Sequence, residues 1–256
     1  VLLVTFFPQL FTSVDPRSCK LDNSLEGATA GHPFGFDKQG CDVYARVIYG
    51  ARTSVSIGVF TTLLVTVLGG LIGAVAGFFG GWVDAVLSRI TDIFFAVPLL
   101  LGSIVLLQMF RTSTSIWKIV FTLALFGWVS MARIVRGAVI EAKNLEFNTA
   151  SLALGSTPGR NLFKHIIPNS LAPAIVMATM NLGGYIVSEA TLSFLGIGMP
   201  SSVVSWGGDI STAQSLLRTN PSVLFYPSAA LAITVLAFIM LGDAVQDALD
   251  PKARTA

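Results

Sequence analysis

Few side chains in this sequence have the types and spacing that catalysis or metal binding requires. The two histidines, His32 and His165, fall in different polar segments, which disfavours a His-based metal cluster. The nucleophile elbow GxSxG does not occur, and neither does the Gly-Lys-Ser/Thr ending of a phosphate-binding loop. The sequence therefore predicts no catalytic residues, no metal site and no ATP binding by that loop.

The only two cysteines, Cys19 and Cys41, lie in the polar segment 12–52. We interpret this segment as an extracytoplasmic loop, and two cysteines in an oxidising compartment favour a disulfide. Two unpaired thiols are the alternative. We predict that the bond forms and closes the loop.

Glu189 is the one acidic residue of a long stretch that is otherwise free of charge, between Lys164 and Asp209. A carboxyl group at membrane depth usually faces a polar interior. Two interpretations are open: the side chain lines a pathway or holds a gate, or it hydrogen-bonds a neighbouring helix or is protonated. With Glu189, the polar residues Gln108, Asn181 and Ser188 are the candidates to line a passage.

Membrane-spanning helices must position these residues, because the chain has too little charge for a water-facing surface. Only 12% of its 256 residues are charged, against roughly 25% in soluble domains. The mean hydropathy of +0.74 and net charge of +2 exclude a soluble enzyme, a disordered chain and a nucleic-acid binder. A span needs about 20 apolar residues. Charge-free windows predict spans near 54–78, 90–110, 116–137, 170–196 and 222–245.

The first eleven residues are apolar but too short to cross a bilayer. We interpret 1–11 as the end of a first span, with a cleaved signal peptide as the rival. The predicted fold is therefore an all-α, polytopic membrane protein of about six spans. The loop 12–52 precedes a transmembrane domain at 53–251, and 252–256 forms a tail.

The distribution of Lys and Arg in short loops predicts the orientation. Lys143, Arg160 and Lys164 lie between two spans, in the segment 137–168, and Arg133 and Arg136 stand just before it. We therefore expect this segment and both termini on the cytoplasmic side.

Four glycines, Gly69, Gly73, Gly77 and Gly81, are spaced by four residues on one face of a helix. Repeated small residues let another helix approach closely, so we predict helix packing at this face. A span that is merely rich in glycine is the alternative.

The segment 141–169 is the most informative part of the sequence. Residues 146–154 suit a short helix that Gly155 ends with a positive φ. Thr157 then suits the cap of a second short helix, with Pro158 in its first position. Pro168 is interpreted as the point of entry into the membrane. A helix–turn–helix that docks onto a partner is one interpretation, and an amphipathic loop on the lipid surface is the other.

The same segment resembles the EAA loop of bacterial ABC importer permeases, in which E-A-A, three residues, Gly, nine residues and I-x-L-P follow in order. Alignment on Gly155 places Thr149-Ala150-Ser151 over E-A-A and 165–168 over I-x-L-P. Ala150, Gly155 and Pro168 match. Thr149 replaces the acidic residue, and Glu146, one turn earlier, is a candidate substitute.

The resemblance extends from about residue 32 to residue 251 and is to the C-type permease of dipeptide and oligopeptide importers. That subfamily usually has Arg where Cys41 stands. The similar segments are HPFGFDKQGCDVYARVIYGARTSVSIG (32–58), GGWVDAVLSRITDIFFAVP (80–98), FGWVSMARIVRG (126–137), SEATLSFLGIGMP (188–200) and LGDAVQDALDP (241–251).

This resemblance implies a type I importer fold in a bacterial cytoplasmic membrane and a set of partners. These are a second, B-type permease, two ATPase subunits that bind ATP and Mg²⁺, an external substrate-binding protein and a peptide substrate. No cofactor is expected in this chain. The residues implied to couple it to the ATPases are Glu146, Thr149, Ala150, Ser151, Gly155, Ser156, Pro158, Gly159, Arg160 and Pro168.

Two other functions remain open at this stage. Relatives of the family carry nickel or other small solutes, and a secondary transporter would work without an ATPase. The segment 206–219 is a further candidate, as a short helix near a gate or binding-protein dock, with a surface loop as the alternative.

Overall fold

The computed structural model describes residues 1–110 and 113–249, and in this part the chain forms helices and no β-strand. The predicted tail at 252–256 lies outside the described residues. The α-helices are α1 Leu2–Phe6, α2 Val43–Phe79, α3 Gly81–Phe95, α4 Leu99–Gln108, α5 Trp117–Lys143, α6 Glu146–Ala153, α7 Pro158–Asn161, α8 Ile167–Phe194, α9 Trp206–Ala213 and α10 Ser222–Leu249. Pro8–Leu10, Leu21–Asn23 and Gln214–Leu216 are 3₁₀ turns, and Leu162–Ile166 is a π turn.

Four helical runs are long and apolar enough to cross a membrane: α2, α5, the run Pro158–Phe194 that ends in α8, and α10. The bent pair α3 and α4 makes a fifth if the pair is counted as one span. Helices suit a bilayer because hydrocarbon offers backbone N–H and C=O groups no partner outside the helix. The predicted all-α membrane fold is confirmed. The span at 1–11, where α1 has five residues, stays a prediction.

The span predicted at 90–110 is wrong as a single helix. α3 ends at Phe95, α4 begins at Leu99, and the two meet at an angle of 76°. Pro98 lies between them; it has no N–H to donate, and its ring disfavours the helical conformation for Val97. The charge-free window is therefore covered by two helices.

α2 begins at Val43, inside the segment that the sequence predicts to be a loop to residue 52. The Asp42 carboxylate accepts a hydrogen bond from the backbone N–H of Ala45 at 2.8 Å, which satisfies one free donor of the first turn. α2 has 37 residues, so it is about 55 Å long and exceeds the hydrocarbon thickness of a bilayer. Charged residues in its first three turns made this part look like a loop.

The chain divides into two compact units. The first consists of Val1–Phe60, Ser103–Thr122 and Leu182–Phe238, and the second of Thr61–Gly102, Leu123–Asn181 and Ile239–Ala256. The buried core of the first unit includes Ala51, Val55, Ile186, Trp206 and Phe238. A core of the second contains Trp128, Val129 and Ala132.

Within the second unit, three of the four spaced glycines bring α2 against the backbone of α5. A Cβ on Gly69 would lie 2.6 Å from the Trp128 carbonyl oxygen, and one on Gly73 would collide with the carbonyl oxygen of Ala132. A Cβ on Gly77 would also lie within 3 Å of a carbonyl oxygen of α5. The sequence left this partner helix open.

Gly81 does not belong to this packing face, so the prediction for it is wrong. α2 ends at Phe79, Gly80 has a φ of +66°, and α3 begins at Gly81. A Cβ on Gly81 would meet no atom within 4 Å. The turn at Gly80 rotates the chain, so the spacing of four no longer places Gly81 on the face of α2.

Candidate functional site

The segment between α5 and α8 forms the helix–turn–helix that the sequence predicts. The N–H of Ser156 donates to the carbonyl of Ser151 at 3.1 Å, the long bond of a Schellman motif at the end of α6. Gly155 takes the left-handed conformation with a φ of +84°. The Thr157 hydroxyl accepts a hydrogen bond from the N–H of Arg160 at 3.4 Å, and Pro158 opens α7. Local sequence signals therefore determine this turn.

Two buried asparagines hold the helix–turn–helix together. The side-chain amide of Asn161 donates to Oδ1 of Asn148 at 2.6 Å. The Ser151 hydroxyl donates to Oδ1 of Asn161 at 2.7 Å. The Asn148 amide donates to the carbonyl of Lys143, the last residue of α5, at 2.7 Å. We call Asn148, Ser151 and Asn161 the amide clamp. Sequence reasoning missed its two asparagines, because their burial is visible only in the structure.

Most residues implied to couple this segment to a partner lie at the surface. Ser151 and Ser156 are half-buried, and the side chain of Thr149 lies outside the described residues. The segment also exposes large apolar side chains, of which Leu154, at 89% exposed, and Phe163, at 73%, are the most exposed. The exposed members of the implied set are Glu146, Ala150, Gly155, Pro158, Gly159, Arg160 and Pro168. Exposed apolar groups beside polar ones are typical of an interaction surface.

Pro168, interpreted as the point of entry into the membrane, does not interrupt the helix, and the entry point itself stays a prediction. Helical structure runs from Pro158 to Phe194, and Pro168 lies in the first turn of α8. The π turn Leu162–Ile166 directly precedes this turn, and its wider spacing accommodates a ring that would clash in a regular α-helix. The second half of the helix–turn–helix is therefore continuous with a candidate span.

Glu189 lies in the interior of the first unit. Its side chain is fully buried, and its Oε1 accepts a hydrogen bond from the Ser193 hydroxyl at 2.8 Å. The geometry favours the interpretation of a buried hydrogen-bonded carboxyl group over a pathway-lining one. Of the other pathway candidates, Gln108 is exposed and Ser188 half-buried in the first unit, and Asn181 is half-buried in the second.

The predicted disulfide between Cys19 and Cys41 is confirmed. Cys41 is buried, and its backbone N–H donates to Oδ1 of Asp37 at 2.9 Å. His32 bonds through Nδ1 to Oδ2 of Asp42, the residue that caps α2. The disulfide therefore closes the segment 19–41 into a loop. The contact between His32 and Asp42 connects this loop to the start of α2.

A buried ion pair joins α2 to the short helix α9. Nε of Arg46 donates to Oδ1 of Asp209 at 2.9 Å, and a second guanidinium nitrogen contacts the same oxygen. Nε also lies 3.7 Å from Oδ2 of Asp37. Burial raises the pKa of the Asp209 carboxyl, and the nearby guanidinium of Arg46 acts in the opposite direction. We call Arg46, Asp209 and Asp37 the charge cluster.

The predicted short helix at 206–219 is present as α9 and a following 3₁₀ turn. Trp206 is 3% exposed, and its indole N–H donates to the carbonyl of Val47 at 2.8 Å. Trp206 therefore anchors α9 to α2 and offers no surface to a partner.

Charged pairs also join α3 to α5 in the second unit. The guanidinium of Arg136 donates to both oxygens of Asp84 at 2.5 Å, and Arg133 donates to Asp92 at 2.8 Å. Arg89 also lies near Asp92, at a longer distance of 3.8 Å. In the described part of the chain, no three His, Cys, Asp or Glu residues are grouped so that they could hold a metal ion.

The comparison with known families decides what this chain is. Residues 69–255 match the family described as "Binding-protein-dependent transport system inner membrane component". The chain belongs to this family. It is 39% identical, over 99% of its length and 83% of the relative, to the oligopeptide transport system permease protein OppC of Bacillus subtilis.

Other relatives of the permease carry related names. It is 36% identical to the dipeptide transport system permease protein DppC of Alkalihalophilus pseudofirmus, over 99% of this chain and 83% of the relative. It is 33% identical to the glutathione transport system permease protein GsiD of Pectobacterium atrosepticum, over 100% of this chain and 84% of the relative.

Solved structures share the fold of the permease. The inward-facing MetNI methionine ABC transporter superposes with a TM-score of 0.66 at 20% identity, over 80% of this chain and 96% of that chain. An amino acid ABC transporter crystallised with histidines gives a TM-score of 0.62 at 17% identity, over 80% and 94%. The type I importer fold is therefore confirmed.

Family membership also establishes the role of the chain. It is a membrane-spanning subunit of an ABC importer and a multi-pass protein of the inner membrane. ATP hydrolysis belongs to separate subunits, so this chain is not an enzyme.

Proposed function

We propose that this permease carries small peptides and is driven by ATPase subunits that bind its helix–turn–helix at 146–161. The observation that carries the coupling proposal is the amide clamp, which joins α6 to α7 and to the end of α5 in a segment with exposed apolar side chains. The peptide proposal rests on relatives that are named for oligopeptides, dipeptides and glutathione.

A coupling element must be rigid and must be firmly attached to a span, because otherwise movement of the ATPases would be absorbed within the loop. The continuous helical run from Pro158 to Phe194 provides one attachment, and the bond from Asn148 to the carbonyl of Lys143 provides the other. Leu154 and Phe163 supply apolar surface for a partner.

The complete importer then has a second permease, two ATPase subunits that bind ATP and Mg²⁺, and an external substrate-binding protein. Both termini and the helix–turn–helix lie in the cytoplasm, and the segment 12–42 faces outward. Glu146, Ala150 and Arg160 are exposed in the same segment and belong to the proposed contact with the ATPase.

Crosslinking tests the docking surface. Leu154→Cys in the assembled importer should crosslink to an ATPase subunit, identified by mass spectrometry. Leu71→Cys, at another exposed leucine that lies in α2, is the control and should not. Equal crosslinking at both positions would contradict the docking proposal.

A pair of aspartate variants tests the coupling. Gly155→Asp strains a residue with a φ of +84° and adds charge to the turn, so peptide uptake per ATP hydrolysed should fall at least tenfold. Asn144→Asp adds the same charge at an exposed residue outside 146–161, where the backbone needs no positive φ, and should retain most uptake. Unchanged coupling in Gly155→Asp defeats the proposal.

A substrate panel tests the cargo. Proteoliposomes with the complete importer and its binding protein should accumulate di- and tripeptides when ATP is supplied. Uptake of Ni²⁺ without uptake of any peptide would overturn the peptide proposal and leave the family assignment unchanged.

A further inference from the structure

The first unit contains a cavity of about 670 Å³, within the usual range for small-molecule sites. One wall comes from the disulfide-closed segment, at Asp37 and Lys38, and another from α2 and α9, at Arg46 and Asp209. The stretch between α8 and α9 completes it, with Met199 among its lining residues.

The walls of this cavity carry charged groups of both signs, and some of their polar atoms have no partner within residues 1–110 and 113–249. Oδ1 of Asp209 receives the guanidinium of Arg46, whereas its Oδ2 is buried and has no hydrogen-bond partner among the described residues. The whole residue is only 8% exposed. Lys38, by contrast, is exposed and has no ion-pair partner in the described part of the chain.

An unsatisfied carboxylate oxygen in a buried wall favours a ligand that brings a donor, because burial of an unpaired polar atom is costly. Asp209 lines the cavity, and the terminal torsion of an aspartate side chain has broad minima, so its carboxyl group can turn to meet a ligand there. A free ammonium group fits this position. Lys38, on another wall, can receive a carboxylate.

We propose that this cavity transiently binds small zwitterions, with Asp209 receiving the ammonium group and Lys38 the carboxylate. A free peptide has these two charges at its ends, so the site would select short peptides with unblocked termini. This inference rests on the proposed peptide-permease function and adds a selecting site within the permease itself.

Uptake of blocked and free peptides by the complete importer in proteoliposomes tests the proposal. The probes are alanyl-alanine, its N-acetyl form and its C-terminal amide. Because the same binding protein serves every variant, a change in the ratio of free to blocked uptake between variant and wild type reports on the permease.

Asp209→Asn should lower the ratio of alanyl-alanine to N-acetyl-alanyl-alanine uptake about tenfold, the effect of one charge-assisted hydrogen bond. Lys38→Gln changes an exposed side chain, so the fold is retained even if Asp209→Asn fails to assemble. It should lower the ratio of free to amidated dipeptide about threefold, as expected for a solvated charge. The matched controls Asp22→Asn and Lys20→Gln alter exposed charges that do not line the cavity and should leave both ratios unchanged.

The outcomes separate the two proposals. If wild type takes up alanyl-alanine but Lys38→Gln lowers free and amidated uptake equally, the zwitterion site is overturned and the peptide function stands. If wild type takes up no peptide at all, the peptide function fails and the site falls with it.

Discussion

The amide clamp and the charge cluster both fix a short helix between candidate spans, but they do so with different chemistry. The clamp uses neutral amides and a hydroxyl, and its three shortest hydrogen bonds measure 2.6 to 2.7 Å. The cluster uses a largely buried guanidinium and two carboxylates, and leaves Oδ2 of Asp209 without a partner among the described residues. Hydrogen bonds between uncharged groups depend little on nearby charge. A buried ion pair, by contrast, is stable only while both of its charged partners are present. The first arrangement suits a rigid coupling element, and the second suits a region that responds to a charged ligand.

The largest expected effect is the loss of one partner of the buried ion pair. Arg46→Met should lower the free energy of unfolding by about 3–5 kcal/mol, because it leaves the carboxylate of Asp209 buried without its cation. Thermal unfolding of the purified protein in detergent measures the change. The double variant Arg46→Met/Asp209→Leu should recover most of the loss, and a double variant as unstable as the single one would show that the pairing is not the cause.

The disulfide should give the next largest effect. Replacement of Cys19 and Cys41 by serine removes a bond between residues that are 22 positions apart in sequence. The loss of this chain-entropy constraint should lower the free energy of unfolding by about 3 kcal/mol. Hydrogen exchange should become faster in 19–41 and stay unchanged in 146–161. A reductant should cause the same faster exchange in the wild type and no further change in the double serine variant. If the reductant also speeds exchange in the double variant, the loss of the disulfide is not the cause.

Asn161→Ala should weaken the amide clamp by about 2 kcal/mol, because it leaves the side-chain oxygen of Asn148 and the Ser151 hydroxyl without partners. Faster hydrogen exchange confined to 146–161 would be the signature. Asn144→Ala removes an exposed amide just outside the clamp and should exchange like wild type. If the two variants exchange at the same rate, the amide clamp does not hold this segment together, and its contrast with the charge cluster is lost.

Gly155→Ala should have the smallest effect, about 1 kcal/mol, because a Cβ is disfavoured at a φ of +84°. Gly159→Ala, which adds the same methyl group in open space, should be neutral or slightly stabilising. Hydrogen exchange of 146–161 compares the pair, and a loss of protection as large as that of Asn161→Ala would mean that the turn, rather than the amides, holds the segment.

Sequence reasoning predicted features that depend only on neighbouring residues or that allow only one pairing. Gly155, Thr157 and Pro158 determine a turn within four residues, and their signals depend only on neighbouring backbone. The disulfide was predictable because the chain has only two cysteines.

The contacts that it missed join residues far apart in sequence. Arg46 and Asp209 are separated by 163 positions, and nothing in either neighbourhood indicates the partner. Asn148 and Asn161 are separated by 13, across a turn whose geometry must be known before their contact can be inferred. The bend at Pro98 was different, because its signal was local and the absence of charge around it concealed the break.

The bond between Cys19 and Cys41 makes the chain a reporter of its own topology. Disulfides form in oxidising compartments and not in the reducing cytosol. With the outward-facing segment proposed above, a newly made chain in which this bond has closed has already moved the segment 19–41 across the membrane. The redox state of the two sulfur atoms would then report the direction of insertion without any added label.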